Sequence, residues 1–422
     1  MLREMIELSK LLYDYKRPLS QLRELQNRRL RVLIHHAYER VPYYRHLFDS
    51  AGIAPADIRT VEDLPRLPIT TKQMLRATPI EQLVATGTNL TSCIVHTTGG
   101  TTGEPFHVYF SPADIRARRL VDFRALLTVG IRPWDRVAIL GPRSARPSRP
   151  HERLGLFRTQ IIPGSSEPAT QIRLLRDYQP TVLWAYAHEL DAIVYELQNK
   201  LSSVVRPRVL IISAYTLPNR TAQALHADLG ATVFNFYGAM EVGRIAHECP
   251  AHRGLHVNSD RLILECVPDE SSINGSGSAI VTALDFFTMP FIRYRLGDLV
   301  KFAERSCVCG SEFPLIETPS GREYELCILP SGKRISVNWL MLILRGLEGI
   351  DQYRVIQERP DYVVIQLSFF TTPRQEMLDH LEREISNGFP ESVQIDIQLT
   401  DFAFARGRKF KAFVSNLQTD GR

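Results

Sequence analysis

Val95-His96-Thr97-Thr98-Gly99-Gly100-Thr101-Thr102-Gly103-Glu104-Pro105 sets four threonines and three glycines into the seven positions 97–103. Upstream, Leu90-Thr91-Ser92-Cys93-Ile94-Val95 reads as a strand. Downstream, Phe106-His107-Val108-Tyr109-Phe110 alternates bulky residues and reads as a second. The loop therefore joins strand to strand, whereas the two common phosphate loops join a strand to a helix. It also lacks the Gly-Lys-Ser/Thr ending of a Walker loop. Glycines let backbone N–H groups come close to an anion, and hydroxyls add donors. Such a loop suits a polyphosphate held without a fixed lysine; standing alone it would read as a hairpin turn.

Three later segments change that balance. Phe234-Asn235-Phe236-Tyr237-Gly238-Ala239-Met240-Glu241 reads as a strand ending in Tyr-Gly with a carboxylate three residues on. A ring and a carboxylate at a strand end suit a nucleobase and Mg²⁺. In Pro290-Phe291-Ile292-Arg293-Tyr294-Arg295-Leu296-Gly297-Asp298-Leu299, Asp298 is placed to bond a ribose diol. Gly321-Arg322-Glu323-Tyr324-Glu325 precedes a hairpin through Ser331-Gly332-Lys333. Singly, Asp298 reads as a turn aspartate and Glu241 as a solvated helix cap; the ordered set of four favours a nucleotide site.

Hydrophobic spacing gives the architecture. Leu22, Leu25, Leu30, Leu33 and Ile34 predict a helix from about Gln21 to Ala37. Strand Thr159–Ile162 and helix Thr170–Leu175 are followed by strand Thr181–Ala185 and helix Glu189–Leu197, then strand Val209–Ile212 and helix Asn219–Leu229. This βαβα rhythm implies a parallel sheet with right-handed crossovers. Beyond Glu325, strands Tyr353–Gln357, Tyr362–Leu367 and Gln394–Ile397 with helix Arg374–Ile385 suit a small α+β domain.

The 422 residues, 44% hydrophobic, suit one large domain with a small one. Lys+Arg of 51 against Asp+Glu of 46 is a mild positive excess, compatible with anionic nucleotides and too weak to argue for nucleic acid. Met1-Leu2-Arg3-Glu4-Met5 lacks a signal-peptide core, and no apolar run reaches membrane-spanning length, so a cytoplasmic protein without an integral membrane segment is expected. Six cysteines are too few for a disulfide framework in so long a chain. Cys307-Val308-Cys309-Gly310 and Cys249-Pro250-Ala251-His252-Arg253-Gly254-Leu255-His256 combine thiols with imidazoles, the donors of a tetrahedral structural zinc, although Cys-x-Cys is tighter than a standard knuckle. The alternative is reduced cysteines with His256 packed below a sheet. Cys93, Cys266 and Cys327 sit in apolar contexts and read as core.

The ordered motifs resemble those of the adenylate-forming superfamily of acyl-CoA synthetases and adenylation domains. Leu30-Arg31-Val32-Leu33-Ile34-His35-His36-Ala37-Tyr38, Val41-Pro42-Tyr43-Tyr44 and Leu67-Pro68-Ile69-Thr70-Thr71-Lys72 are most similar to phenylacetate–CoA ligases and their relatives in capsular polysaccharide and natural-product biosynthesis. The resemblance spans nearly the whole chain. It implies an α/β fold: a large multi-sheet adenylation domain with parallel βα units, residues 1–324, and a small C-terminal α+β lid, residues 325–422. It implies an AMP-forming ligase in which a carboxylate attacks the α-phosphate of ATP and an acceptor then displaces AMP. The acceptor is the CoA thiol, a carrier-protein thiol or an amine.

Roles follow from that resemblance. Thr97, Thr98, Gly99, Gly100, Thr101, Thr102 and Gly103 match the loop around the β,γ-phosphates. Tyr237 and Gly238 match the adenine strand, Glu241 the Mg²⁺ carboxylate, Asp298 the ribose ligand, and Arg322 the arginine beside ribose and phosphate. Glu325 matches the hinge. Arg406-Gly407-Arg408-Lys409-Phe410-Lys411 matches the catalytic-lysine segment, with Lys409 in that role as a cation where charge builds in the transition state. Tyr186, Ala214, Tyr215 and Phe236 fall near the acyl group and hint at an aromatic or compact carboxylic acid. Part of the family looks to have a zinc built from the cysteine segments, which implies Cys249, His256, Cys307 and Cys309, with His252 as stand-in for His256.

Three positions depart from the pattern. Met240 stands where relatives carry threonine or serine, Tyr215 where many carry glutamate, and Arg408 separates the lysine from its glycine, so that Lys411 competes with Lys409. These departures support a second reading, a catalytically silent nucleotide- or partner-binding protein; Glu241, Asp298, Arg322 and Lys409 argue against it. A zinc-ribbon nucleic-acid binder lacks the basic and aromatic stripe it needs.

Overall fold

The computed structural model describes residues 2–98, 106–141, 149–198, 200–213, 225–268, 275–319, 321–322, 326–347, 349–369, 371–400 and 412–417. The chain divides into two compact units. The first comprises Met1–Ile131, Asn235–Pro268 and Ser276–Ser320; the second comprises Arg132–Phe234, Asp269–Gly275 and Gly321–Arg422. Among the described residues no helix is long and apolar enough to cross a membrane.

In the first unit, strands Ile94–Thr98 and Phe106–Phe110 pair antiparallel, Ile94 opposite Phe110 and Thr98 opposite Phe106. The expected strand over Leu90–Val95 is corrected. Leu90–Ser92 is a 3₁₀ turn, because the Asn89 side chain accepts the Thr91 N–H at 3.1 Å, and pairing starts only at Ile94. Such local capping competes with a ladder. Phe106, Val108 and Phe110 point inward to a core that includes Ile245, Val257, Val281, Phe286 and Phe291. Strands Leu262–Val267, Gly277–Ala283 and Tyr294–Val300 form an antiparallel run. Gly243–Glu248 pairs on one side with Thr232–Ala239 and on the other with Leu255–Val257, which in turn pairs with Leu315–Ile316. The helix foreseen from Gln21 to Ala37 runs Leu19–Arg40 and buries Leu22, Leu25, Leu30, Leu33 and Ile34. Of the cysteines read as core, Cys93 and Cys266 are only half-buried.

A fully buried arginine holds this unit together. Arg124, from helix Pro112–Thr128, donates to both oxygens of buried Asp260 at 2.8 Å, to Asn258 Oδ1 at 2.7 Å and to the Leu11 carbonyl at 3.1 Å.

The second unit carries four parallel strands in the order Arg158–Pro163, Arg136–Gly141, Val182–Tyr186, Val209–Ser213. Helices Pro168–Tyr178 and Ala187–Glu196 supply the crossovers the sequence predicted. The helix expected over Asn219–Leu229 lies partly outside the described residues; Leu225–Leu229 is helical. The C-terminal part of the unit has a core of its own. Strands Ile350–Arg359, Tyr362–Phe369, Gln394–Leu399 and Phe413–Ser415 form a mixed sheet with helices Asn338–Gly346 and Gln375–Gly388, and Leu326–Ile328 forms the foreseen hairpin with Arg334–Ser336.

Removing one partner of a buried pair strands the other charge, which typically costs about 3–5 kcal/mol. Arg124→Met should therefore lower the denaturation midpoint by an equivalent amount; an unchanged midpoint would remove the pair from any structural role. Burial works to raise the Asp260 pKa, but the charges of Arg124, Arg261 and Arg29 and the Arg124 hydrogen bonds bring it below the ordinary value. A carboxylate depressed in the folded state stabilises above its unfolded pKa and loses that contribution as pH falls through its folded pKa. The difference between wild type and Asp260→Asn should accordingly begin to shrink below about pH 4.

Candidate active site

Strand Thr232–Ala239 turns back through Met240–Val242 into strand Gly243–Glu248, and Gly243 takes φ +78° at the turn's exit. Such short loops need a left-handed residue, which glycine supplies without strain. A Cβ on Gly238 would lie 2.5 Å from the Gly243 carbonyl oxygen, so the two arms of the hairpin touch through that glycine. The turn carries Glu241, which is buried rather than a solvated cap. Tyr294 Oη donates to Glu241 Oε1 at 3.2 Å, and Lys72 Nζ lies 3.4 Å from the same oxygen. The Met240 carbonyl accepts from Arg118 at 2.7 Å, and that guanidinium lies over the Phe110 ring at 4.5 Å.

On the same strand end, Tyr237 Oη donates to Asp298 Oδ2 at 2.9 Å. Asp298 sits in strand Tyr294–Val300, not in a turn, where the pairing with Gly277–Ala283 is irregular and Gly297 takes φ +78°. Irregularities of this kind re-aim side chains. Thr97 Oγ1 lies 3.2 Å from His107 Nδ1 across the strand pair that flanks the threonine/glycine loop, and Lys72 Nζ is 5.9 Å from the centre of the Phe106 ring just after the loop. The first unit thus brings together Tyr237, Gly238, Glu241 and Asp298.

Thr98 ends its strand, and Arg322 lies in the short strand Gly321–Arg322. Gly99, Gly100, Thr101, Thr102, Gly103, Ala214, Tyr215, Glu325 and Lys409 lie outside the described residues. Tyr186 ends strand Val182–Tyr186 in the second unit; a Cβ on Gly141 would lie 2.8 Å from its ring, and one on Gly164 would lie 2.2 Å from Glu189 Oε1. Phe236 is buried, with its ring 6.1 Å from that of His247 and under the Arg244 guanidinium at 4.5 Å, and it does not join Tyr237 and Asp298. Sequence reasoning assigned no role to Lys72, Tyr294 or Arg118. Lys72 stood within a quoted motif, but nothing in spacing announces a contact 169 residues away.

Cys249, His256, Cys307 and Cys309 offer ligand atoms that all lie within 4.8 Å of one another. Cys249 Sγ is 3.5 Å from Cys307 Sγ, and Cys309 Sγ is 3.3 Å from His256 Nε2. Donors around a tetrahedral zinc at the usual bond lengths are separated by about 3.5–3.8 Å, so the spacing fits that ion. His256 Nδ1 donates to the Phe313 carbonyl at 3.3 Å, which turns the Nε2 lone pair toward the sulfurs. Burial holds the imidazole below its ordinary pKa, in the neutral form a metal ligand requires. Burial also pushes the Cys249 thiol up to about 12. The stand-in is corrected: His252, at φ +49°, turns away and places Nδ1 3.2 Å from Glu248 Oε1.

The fold is that of an adenylate-forming acyl-CoA ligase. A crystal structure of 2-hydroxyisobutyryl-CoA ligase, in the postadenylation state in complex with R3-HIB-AMP, superposes with a TM-score of 0.77 at 18% identity, covering 96% of this chain and 91% of that one. No protein-family model matches the chain. It is 26% identical over 428 residues to the phenylacetate–coenzyme A ligase of Thermus thermophilus, covering 91% of this chain and 93% of that protein. It is 31% identical over 306 residues to that of Escherichia coli, 67% of each chain. The chain belongs to the phenylacetate–coenzyme A ligase family.

The Gly238 contact is with backbone, which cannot swing aside. Gly238→Ala should open the hairpin, lower the melting temperature and displace Glu241, so that the ATP–pyrophosphate exchange rate falls with it. Full exchange in a protein of unaltered stability would show that the close approach is dispensable.

Proposed function

We propose that this protein is an ATP-dependent, AMP-forming carboxylic acid ligase that makes an acyl-adenylate and passes the acyl group to the thiol of CoA. The observation that carries the reading is the convergence of Lys72 and Tyr294 on one carboxylate oxygen of Glu241, beside the Tyr237–Asp298 pair. A nucleotide at this strand end meets a ring and a ribose acceptor, while its phosphates extend toward the threonine/glycine loop. Lys72, 5.9 Å from the centre of the Phe106 ring, is the cation assigned to complement a loop that carries none of its own. Glu241 is the carboxylate for Mg²⁺, which when bound neutralises charge on the phosphate oxygens.

In the first step the acid's carboxylate oxygen bonds to the α-phosphorus of ATP and the bond to pyrophosphate breaks. In the second the CoA sulfur bonds to the acyl carbon, its proton passes to solvent, and AMP leaves. Residues 325–422 are read as the mobile lid, Glu325 as its hinge, and Lys409 as the cation that meets the developing charge. Tyr186, Ala214, Tyr215 and Phe236 are the acid-pocket assignment, for an aromatic or compact acid. A carrier-protein thiol or an amine is the alternative acceptor. Dependence on ATP and CoA fits work in the cytoplasm.

Met240 favours a second, silent reading, since it replaces a hydroxyl that would help hold the adenylate. Pyrophosphate exchange across a panel of carboxylic acids separates the two: exchange with at least one acid supports the ligase, and none with any acid supports silence. Lys409→Ala should slow adenylate formation by roughly 10²–10³. If Lys411→Ala is the slow variant and Lys409→Ala is normal, the role moves to Lys411.

Cys249, His256, Cys307 and Cys309 are proposed to hold a structural zinc, which would tie the Cys307–Cys309 loop to strand Leu255–Val257. Purified protein should contain about one zinc per chain. Cys307→Ser should lower both metal content and melting temperature; a metal-free protein of full stability would dismiss the site.

A further inference from the structure

Residues 132–158 contain seven arginines and two acidic residues, an excess equal to the formal net charge of +5 of the whole chain. Both acids are turned inward. Asp135 is buried and accepts from the Arg132 N–H at 2.6 Å, from Thr181 Oγ1 at 2.8 Å and from Arg208. Glu152 is buried and accepts the Arg149 N–H at 2.6 Å. Arg132 and Arg153 are exposed, so the field this segment presents is positive.

Large apolar side chains stand out among these charges. Trp134 is 65% exposed, Leu154 78% and Leu156 43%. They are neighbours, because the Phe157 N–H donates to the Pro133 carbonyl at 2.5 Å. Leu154 and Leu156 are displayed by a formed turn. Leu156 N–H reaches back to the His151 carbonyl at 3.0 Å, Gly155 N–H to the Glu152 carbonyl at 3.0 Å, and Gly155 takes φ +82°. These two bonds around a left-handed glycine are the Schellman ending of a helix. That motif ordinarily packs its last apolar residue on the helix; here it holds one toward solvent.

The patch sits at the amino edge of the parallel strands. Trp134 lies two residues before strand Arg136–Gly141, and Leu156 two before strand Arg158–Pro163, and Arg136 and Arg158 pair directly. Substrates of open parallel sheets bind beyond the opposite, carboxyl ends. The patch is therefore at the end of this sheet away from where such sheets take small substrates.

We propose that this surface docks on an anionic phospholipid bilayer, with Trp134, Leu154 and Leu156 entering the interface and the surrounding arginines on the headgroups. An indole and two leucines beside exposed arginines match the combination of apolar insertion and headgroup charge by which peripheral proteins bind.

The test uses full-length protein sedimented with vesicles of phosphatidylcholine alone or with about a third phosphatidylglycerol. Partitioning to the anionic vesicles should be at least roughly tenfold stronger and should weaken with salt. Trp134→Ser/Leu154→Ser and Arg132→Glu/Arg153→Glu should each lower it about tenfold or more, with pyrophosphate exchange retained. Trp134 is the most exposed of the three tryptophans. A blue shift of emission when wild-type protein meets anionic vesicles therefore tests insertion without any variant. Equal binding to neutral and anionic vesicles, no binding, no blue shift, or variants that bind like wild type would each overturn the proposal. So would binding to an acidic carrier protein that the vesicles fail to match.

Discussion

The bidentate pair between Arg124 and Asp260 is the constraint on which the first unit depends. An arginine with no exposed surface is tolerable only because its fork is met by a carboxylate, an amide oxygen and a backbone carbonyl. Those acceptors come from two parts of the chain, helix Leu2–Tyr15 and the turn after strand Leu255–Val257. Asn258 extends the network, since its N–H donates to the Ile245 carbonyl at 2.8 Å and its Nδ2 to the Arg244 carbonyl at 3.2 Å. Arg244 and Ile245 open the strand that leaves the Glu241 turn. Helix Leu2–Tyr15, helix Pro112–Thr128 and the hairpin that carries Glu241 are thus positioned by one cation.

Much of the architecture was legible because it follows from local periodicity. Phe106, Val108 and Phe110 alternate toward the core as their spacing requires, and the βα rhythm from Thr159 onward pointed to parallel strands, although it missed strand Arg136–Gly141. Leu90–Ser92 misled because three residues with strand-compatible side chains follow an asparagine that caps a turn instead. Glu241 and Asp298 were placed as residues, but their surroundings were not. The partners Lys72 and Tyr294 come from distant segments, and burial at a turn is a tertiary property. His256 and His252 could not be separated from spacing. What decides between them is that Gly254, at φ +123°, lets the chain enter strand Leu255–Val257 with His256 toward the sulfurs.

The chemistry is split between parts of the chain that fold differently. The Tyr237–Asp298 and Glu241–Lys72 contacts rest on antiparallel strands whose register is fixed by tight turns and buried charge. The segment assigned the catalytic cation lies, in sequence, between the third and fourth strands of a small sheet with a separate hydrophobic core. A division of that sort suits an enzyme with two successive steps, because a nucleotide platform can stay rigid while the part that completes each step keeps its own stability.

Gly141 ends one parallel strand and Gly164 follows the end of its neighbour, and each leaves the volume that a nearby side chain fills: the Tyr186 ring against one, the Glu189 carboxylate against the other. The fit is mutual. A methyl on Gly141 would press on a ring that cannot yield without leaving its place, whereas one on Gly164 meets the end of a flexible carboxylate that can swing aside, so the barrier to single substitution stands at Gly141. Divergence among descendants of this chain should then begin at positions where one change at a time is tolerated. The glycine-bound floor would persist through it as a record of common ancestry.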